Sequence, residues 1–105
     1  MAMTNDAIGA YRLLGVTLTS YLDGQADFAE LEARLAETIH SRPGEQDLLK
    51  QLYHIANHYE LDADLRTEDP QYASVMSRKL REIAKSLGSG SAANVERSLE
   101  AFWGR

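Results

Sequence analysis

The chain has 105 residues, of which 44% are hydrophobic and 26% are charged, and these values are typical of one globular domain rather than of a disordered chain. It contains no cysteine, which excludes disulfides, thiolate zinc sites and cysteine nucleophiles and leads us to expect a reducing, cytoplasmic location. The net charge is −5, with −8 in residues 1–69 and +3 in residues 70–105, so the whole chain is not expected to bind nucleic acid.

The first two helices are predicted from apolar residues that recur at steps of three and four. One covers about residues 5–23 and ends at Gly24, and the next covers about residues 27–40. Asp27 followed by Glu30 resembles a capping box at the start of the second helix. The apolar stripes are Ile8, Tyr11, Leu14, Leu18 and Leu22 in the first helix and Phe28, Leu31, Leu35 and Ile39 in the second.

Three further helices are predicted after a turn at "SRPGE", and they cover about residues 45–60, 70–87 and 92–103. Pro70 suits the first turn of the fourth helix, and "GSGS" separates the fourth helix from the fifth. The stripes are Leu48, Leu49, Leu52, Ile55, Ala56 and Tyr59 in the third helix, Tyr72, Met76, Leu80, Ile83 and Leu87 in the fourth, and Val95, Leu99, Phe102 and Trp103 in the fifth.

These patterns predict the fold class. No run of strict apolar–polar alternation indicates a strand, and short connections favour antiparallel neighbours. We therefore expect residues 1–105 to form a single all-α domain, an antiparallel up-and-down four-helix bundle with a short additional C-terminal helix that packs back through Phe102 and Trp103.

Residues 60–69, which we call the acidic segment, hold five carboxylates against one arginine and are predicted to form a loop between the third and fourth helices. Asp69 can cap the helix that begins near Pro70, and Asp62 or Asp64 can cap a turn. The remaining carboxylates repel one another unless a cation compensates them. The segment therefore predicts a docking surface for a cationic protein, and an ordinary solvated loop is the main alternative.

A metal site is a weaker hypothesis. His54 and His58 lie one helical turn apart, but the H-E-x-x-H pattern is absent. The D-x-D that begins at Asp62 departs from a calcium loop at its fifth, sixth and twelfth positions, which are Arg66, Thr67 and Ala73. We expect no metal, and a metal-binding bundle through His54 and His58 remains an alternative.

Catalysis and membrane insertion have little support in the sequence. There is no glycine-rich phosphate loop and no nucleophile elbow, so we expect no enzyme, no catalytic residue and no cofactor. No apolar run approaches the ~20 residues that span a bilayer, and no signal pattern opens the chain. The basic residues of the fourth helix are too few for a nucleic-acid surface and are expected to face acidic neighbours at 60–64; they are Arg78, Lys79, Arg81 and Lys85.

Two stretches resemble a known family. "LTSYLDGQADFAELEARLAETI" and "LYHIANHYELDADLR…YASVMSRKLREIAKSL" are similar to colicin D-type immunity proteins and to immunity proteins of contact-dependent growth inhibition systems, over about residues 12–87. The common pattern is a helix with an early phenylalanine and an acid-rich connection that contains an arginine. The chain departs from the family in "GSGS" and the helix at 92–103.

The resemblance implies a small acidic helical bundle, monomeric when free, that binds the nuclease domain of a cognate bacterial toxin one to one and occludes its basic active site. Its carboxylates would stand in for RNA phosphates. The contacts expected on this view are Glu60, Asp62, Asp64, Glu68 and Asp69, with Tyr59 and Tyr72 as aromatic neighbours. A self-associating structural or regulatory helical domain is the alternative, and its sign would be an exposed apolar patch around Trp103.

Overall fold

A computed structural model describes residues 2–41 and 43–103, with side chains described for residues 9–41 and 44–103. The described residues form helices and contain no strand, so the predicted all-α class is confirmed. The helices are α1 (Ala2–Leu22), α2 (Phe28–Ser41), α3 (Gln46–Leu61), α4 (Ala63–Glu68), α5 (Pro70–Gly88) and α6 (Ala92–Phe102), and a 3₁₀ turn at Pro43–Glu45 precedes α3. Five of them match the five predicted helices, and α4 is additional.

The turn between α1 and α2 is built as the sequence indicates. Gly24 has φ +78°, a left-handed conformation that residues with a side chain rarely adopt. The backbone N–H of Gln25 then donates to the carbonyl of Ser20 at 2.8 Å, which closes the end of α1. At the start of α2 the backbone N–H of Glu30 donates to Asp27 Oδ1 at 2.9 Å, so the predicted cap at Asp27 is confirmed.

The core is made mainly of leucine and isoleucine, with one tyrosine, one valine and two alanines, from every helix except α4. The predicted stripes supply nearly all of it, and Ile8 lies outside the residues whose side chains are described. The fully buried large side chains are Tyr11, Leu14, Leu18, Leu31, Leu35, Leu49, Leu52, Ile55, Leu80, Ile83, Leu87 and Leu99. Burial of this apolar surface is the main favourable term in folding.

Helix α1 packs against both α2 and α5, and α6 packs against both α5 and α3. The α1–α5 contact is close because a Cβ on Gly15 would lie 2.9 Å from the carbonyl oxygen of Ala84. Arg12 Nε donates to the Gly88 carbonyl at 3.3 Å. Helix α6 is thus part of the central packing, beside α3 as well as α5.

Two of the four basic residues of α5, Arg81 and Lys79, do not face the acidic segment as predicted. Arg81 Nη2 lies 2.8 Å from Asp23 Oδ1, at the end of α1. Lys79 Nζ donates to the carbonyl of Phe102 at 3.5 Å and lies 5.5 Å from the centre of its ring. The reason is the packing of α5, which places these cations beside α1 and α6.

Candidate functional site

The acidic segment is mostly helical, and the prediction of a loop is wrong. Residues Ala63–Glu68 form α4, and Asp62 is the one residue between α3 and α4. The carbonyl of Asp62 accepts the backbone N–H of Arg66 at 2.9 Å, so the helical hydrogen bonding is nearly continuous. The local sequence explains this, because alanine, leucine, arginine and glutamate are good helix formers and neither glycine nor proline occurs between Leu61 and Asp69.

Two of the predicted contact carboxylates are hydrogen-bonded to tyrosines of other helices. Tyr21 of α1 donates its hydroxyl to Glu60 Oε1 at 2.5 Å, and Tyr72 of α5 donates to Asp62 Oδ2 at 2.6 Å. His58 Nδ1 also lies 3.0 Å from Asp62 Oδ2. The side chain of Asp62 makes no capping hydrogen bond to α4, so its predicted capping role is wrong. Both carboxylates hold helices together.

Arg66 is the cation that compensates this part of the segment. Its guanidinium carbon lies 3.7 Å from the centre of the Tyr59 ring, and the Tyr59 and Tyr21 rings are 6.0 Å apart, edge to face. Nη1 of Arg66 is buried and has no hydrogen-bond partner among the described residues. We call Tyr21, Tyr59, Arg66 and Tyr72 the tyrosine–arginine cluster. One face of Tyr59 is therefore covered by Arg66 and is not available to a partner.

The surroundings of Tyr21 and Tyr72 raise the pKa of both hydroxyls. Burial, the hydrogen bond to Glu60 and the charge of that carboxylate, in that order, raise the pKa of Tyr21 well above its usual range. The hydrogen bond to Asp62 is the main cause that raises the pKa of Tyr72. The charge of Arg66 acts in the opposite direction on both tyrosines. Both phenols thus hold their protons more tightly in the folded chain, where each donates a hydrogen bond to a carboxylate.

Alkaline pH is expected to destabilise the fold through Tyr21. Its pKa is raised in the folded state, so its contribution is fully present below about pH 10, the ordinary tyrosine value, and is lost as the pH rises toward the folded-state value. Urea unfolding of wild type and Tyr21→Phe at pH 8 and pH 11 measures this. The variant should be the less stable of the two at pH 8, and the difference should shrink at pH 11. An equal difference at both pH values would contradict it.

Asp69 performs the capping role that the sequence predicts. Its side-chain Oδ1 accepts the backbone N–H of Tyr72 at 3.1 Å, and Pro70 occupies the first position of α5. Asp69 is therefore a structural residue first, and its carboxylate is engaged locally.

Asp69→Ala is expected to lower the free energy of unfolding by about 1 kcal/mol, because the cap is lost. Asp64→Ala, on the neighbouring helix, is the matched control and should change it by less than about 0.5 kcal/mol. Urea denaturation of both variants checks this. Equal effects would show that the loss reflects charge rather than capping.

Two carboxylates of the segment remain without an internal role. Among the described residues, Asp64 and Glu68 are exposed, carry no hydrogen bond or ion pair, and lie four positions apart on one face of α4. Two leucines accompany them: Leu61 is 74% exposed and Leu65 is 46% exposed. We call Leu61, Asp64, Leu65 and Glu68 the α4 surface. The leucines were not predicted, although Leu61 falls outside the apolar stripe of α3 and could have been noticed for that reason.

An apolar groove opens beside the α4 surface, between α3, α5 and α6. It has a volume of about 450 Å³ and is lined mainly by His54, Ile55, Leu61, Met76, Phe102 and Trp103. Phe102 packs against the core, whereas Trp103 is 51% exposed, so the prediction that both aromatics pack back holds for Phe102 only. Together, Leu61 and Trp103 leave an apolar mouth open to solvent.

The structure brings no metal-ligand set together in residues 2–41 and 43–103, where no group of three or more histidine, aspartate or glutamate side chains could hold an ion. His58 and Asp62 are close, but Asp62 already accepts the hydroxyl of Tyr72. The absence of a metal stays a prediction. The two histidines differ in surroundings, since the ring of His54 packs edge to face on Tyr53, 5.9 Å between centres.

Comparison with known proteins identifies no relative: no family model, no curated protein and no solved structure matches the chain. The likeness of residues 12–87 to immunity proteins thus depends on the quoted residues alone. Over the part of the chain that the structure describes, no helix has the length and hydropathy to cross a bilayer.

Proposed function

We propose that this chain is a binding protein that docks through the α4 surface onto the basic cleft of a nuclease, as an immunity protein does with its cognate bacterial toxin. The observation that carries the proposal is the pair Asp64 and Glu68, which are exposed and without a partner among the described residues on a helix that is otherwise tied to the bundle. Two like charges four residues apart destabilise a helix by a few tenths of a kcal/mol, so this pair of carboxylates does not serve to stabilise α4.

The scaffold supports this use because it holds α4 in place. Asp62, immediately before α4, is bonded to Tyr72 of α5, and Arg66 of α4 stacks on Tyr59 of α3. A helix that is fixed before binding loses little conformational freedom when it docks, and this favours affinity. Of the seven predicted contact residues, Asp64 and Glu68 therefore become our first choice, and Tyr59, Glu60, Asp62, Asp69 and Tyr72 become the residues that position them.

The proposed architecture is an antiparallel up-and-down bundle of α1, α2, α3 and α5, with α6 as the additional helix. Helix α1 contacts α2 and α5, and α2 contacts α3, as such a bundle requires, whereas the side between α3 and α5 is closed by α6, which contacts both. The free protein would be a monomer in the cytoplasm and would bind its toxin one to one. It would act without catalysis, because it would only fill the active site of its partner.

Self-association is a second candidate function, and the exposure of Trp103 favours it. Half of this side chain is open to solvent, next to Leu61, and such patches often mark interaction sites. Sedimentation equilibrium over a wide concentration range decides between a monomer and an oligomer. A monomer at all concentrations would exclude this candidate and leave the docking proposal in place.

The test of the docking proposal uses Asp64→Asn with Glu68→Gln and, as the partner, the product of the gene immediately upstream, which the proposal predicts to contain a basic nuclease domain. Association should slow by about tenfold and lose part of its salt dependence, since exposed charges act mainly on the on-rate. Dissociation should change little. Stopped-flow or surface-plasmon measurements at several salt concentrations give both rates.

The matched control is Glu96→Gln with Glu100→Gln, an exposed pair with the same spacing on α6. It removes the same net charge from another face, so its effect measures long-range steering alone. If both double variants slow association equally, or neither does, the toxin does not dock on α4 and the proposal is wrong.

A further inference from the structure

The apolar groove between α3, α5 and α6 has few polar groups left to bind a polar ligand. Lys79 lines it, but the ammonium donates to the carbonyl of Phe102 and lies over its ring. His58 lines it as well and lies against Asp62. His54 and Asn57 are the other polar residues of the lining, and the remaining five are aliphatic, aromatic or thioether; two of these, Leu61 and Trp103, face solvent at the mouth. A surface of this kind is stabilised when apolar side chains cover it.

The charges that follow Leu61 along the chain indicate the charge of the molecule that carries those apolar side chains. Leu61 belongs both to the groove and to the α4 surface, and Asp64 and Glu68 follow it within seven residues. Those two carboxylates have no cationic partner among the described residues. An occupant with lysine or arginine at this end would pair with them, whereas a second copy of this chain, with its net charge of −5, would be repelled.

The form of the occupant follows from the fold. The described residues contain no strand and hence no sheet edge to which an extended peptide could add. A groove between helices, with a leucine and a tryptophan at its mouth, suits the apolar face of a helix with large side chains at one-turn spacing.

We propose that the groove receives an amphipathic helix of the partner, with large apolar residues on one face and lysine or arginine directed toward α4. The inference rests on the proposed function and extends it. Asp64 and Glu68 attract the partner and speed its approach, and Leu61 with Trp103 hold it after docking. A few buried residues near the centre of an interface, tryptophan prominent among them, generally carry most of its affinity, and interface replacements act mainly on the off-rate.

Trp103 makes the test direct, because it is the only tryptophan of the chain and lies at the mouth of the groove. The probes are three synthetic helical peptides of equal length: one with leucine on one face and lysine elsewhere, one with leucine and glutamate, and one with serine in place of every leucine and lysine elsewhere. The lysine–leucine peptide should shift the emission of Trp103 to shorter wavelength in a saturable titration. The other two peptides should leave it unchanged.

Leu61→Ser should weaken binding of the lysine–leucine peptide by about tenfold, as expected for loss of one apolar interface side chain. Val16→Ser is the matched control: Val16 is 62% exposed, on α1, outside the groove lining, and its replacement should have no effect. Both positions are exposed, so both variants should fold, and their circular dichroism spectra verify this.

Several results would overturn the inference. They are equal binding of the glutamate–leucine peptide, equal effects of Leu61→Ser and Val16→Ser, or an emission shift that appears with increasing protein concentration alone, which would make a second copy the occupant.

These experiments test the groove inference and the docking proposal separately. If the lysine–leucine peptide does not bind, but Asp64→Asn with Glu68→Gln still slows association with the nuclease, only the groove inference is wrong. If the lysine–leucine peptide binds, but Asp64→Asn with Glu68→Gln does not change association with the nuclease, only the docking proposal is wrong.

Discussion

Gly15→Val is expected to lower the free energy of unfolding by about 1–3 kcal/mol, because the close contact of α1 with α5 has no room for a side chain. A Cβ at this position would lie 2.9 Å from the carbonyl oxygen of Ala84 and 3.1 Å from the Cβ of Leu87. The oxygen belongs to the backbone of a helix, so it cannot move away without separating α1 from α5. Urea denaturation of the variant and of wild type measures the loss.

Gly9→Val is the matched control for this prediction. Gly9 lies in the same helix, and a Cβ there would have no atom within 4 Å. Valine is a slightly better helix former than glycine, so the free energy of unfolding should stay the same or rise by a few tenths of a kcal/mol. If the two variants behave alike, the packing of α1 on α5 is not as close as the structure shows.

Asp62→Ala is expected to cost about 1.5 kcal/mol of stability, since it removes a carboxylate that accepts the Tyr72 hydroxyl at 2.6 Å. Hydrogen bonds to charged groups are worth about 1.5–3 kcal/mol, and partial solvent access places this one at the low end of that range. A double-mutant cycle with Tyr72→Phe isolates the pair, and we expect a coupling of about 1 kcal/mol. Additive effects of the two replacements would mean that the hydrogen bond contributes nothing to stability.

The contribution of Asp62 to stability limits which residues can be replaced in a test of docking. Sequence reasoning treats Asp62, Asp64 and Glu68 as equivalent, and an amide at each position would then leave the fold intact. The structure distinguishes Asp62, which ties the end of α3 to α5, from the other two, which face solvent. A variant that includes Asp62 would mix lost stability with lost binding, so only Asp64 and Glu68 serve as a clean test.

The different surroundings of these carboxylates also explain why a segment with five carboxylates in ten residues can fold. Glu60 and Asp62 accept hydrogen bonds from tyrosines, and Asp69 caps α5. Arg66 lies over the ring of Tyr59, with its charge close to Tyr21 and Tyr72. Hydrogen bonds to the charged form of a carboxylate and a nearby cation both reduce the repulsion among such groups. Only the two carboxylates without these partners are left for another molecule.

The sequence by itself determined the parts of this protein that depend on neighbours along the chain. Apolar residues at steps of three and four located α1, α2, α3, α5 and α6, because helical periodicity is a local property. The caps at Asp27 and Asp69 were also predictable, since a capping side chain reaches a backbone N–H only three residues away.

The tertiary structure alone decided which acidic residues are free. Tyr21 is 39 positions from Glu60, and the two meet only because α1 and α3 both pack against α2 in the folded bundle. The exposure of Leu61 and the groove that it shares with Trp103 likewise depend on where α6 ends against α3 and α5. Periodicity states which face of a helix is apolar, but the partner of a polar side chain is fixed by the packing of helices that are distant in sequence.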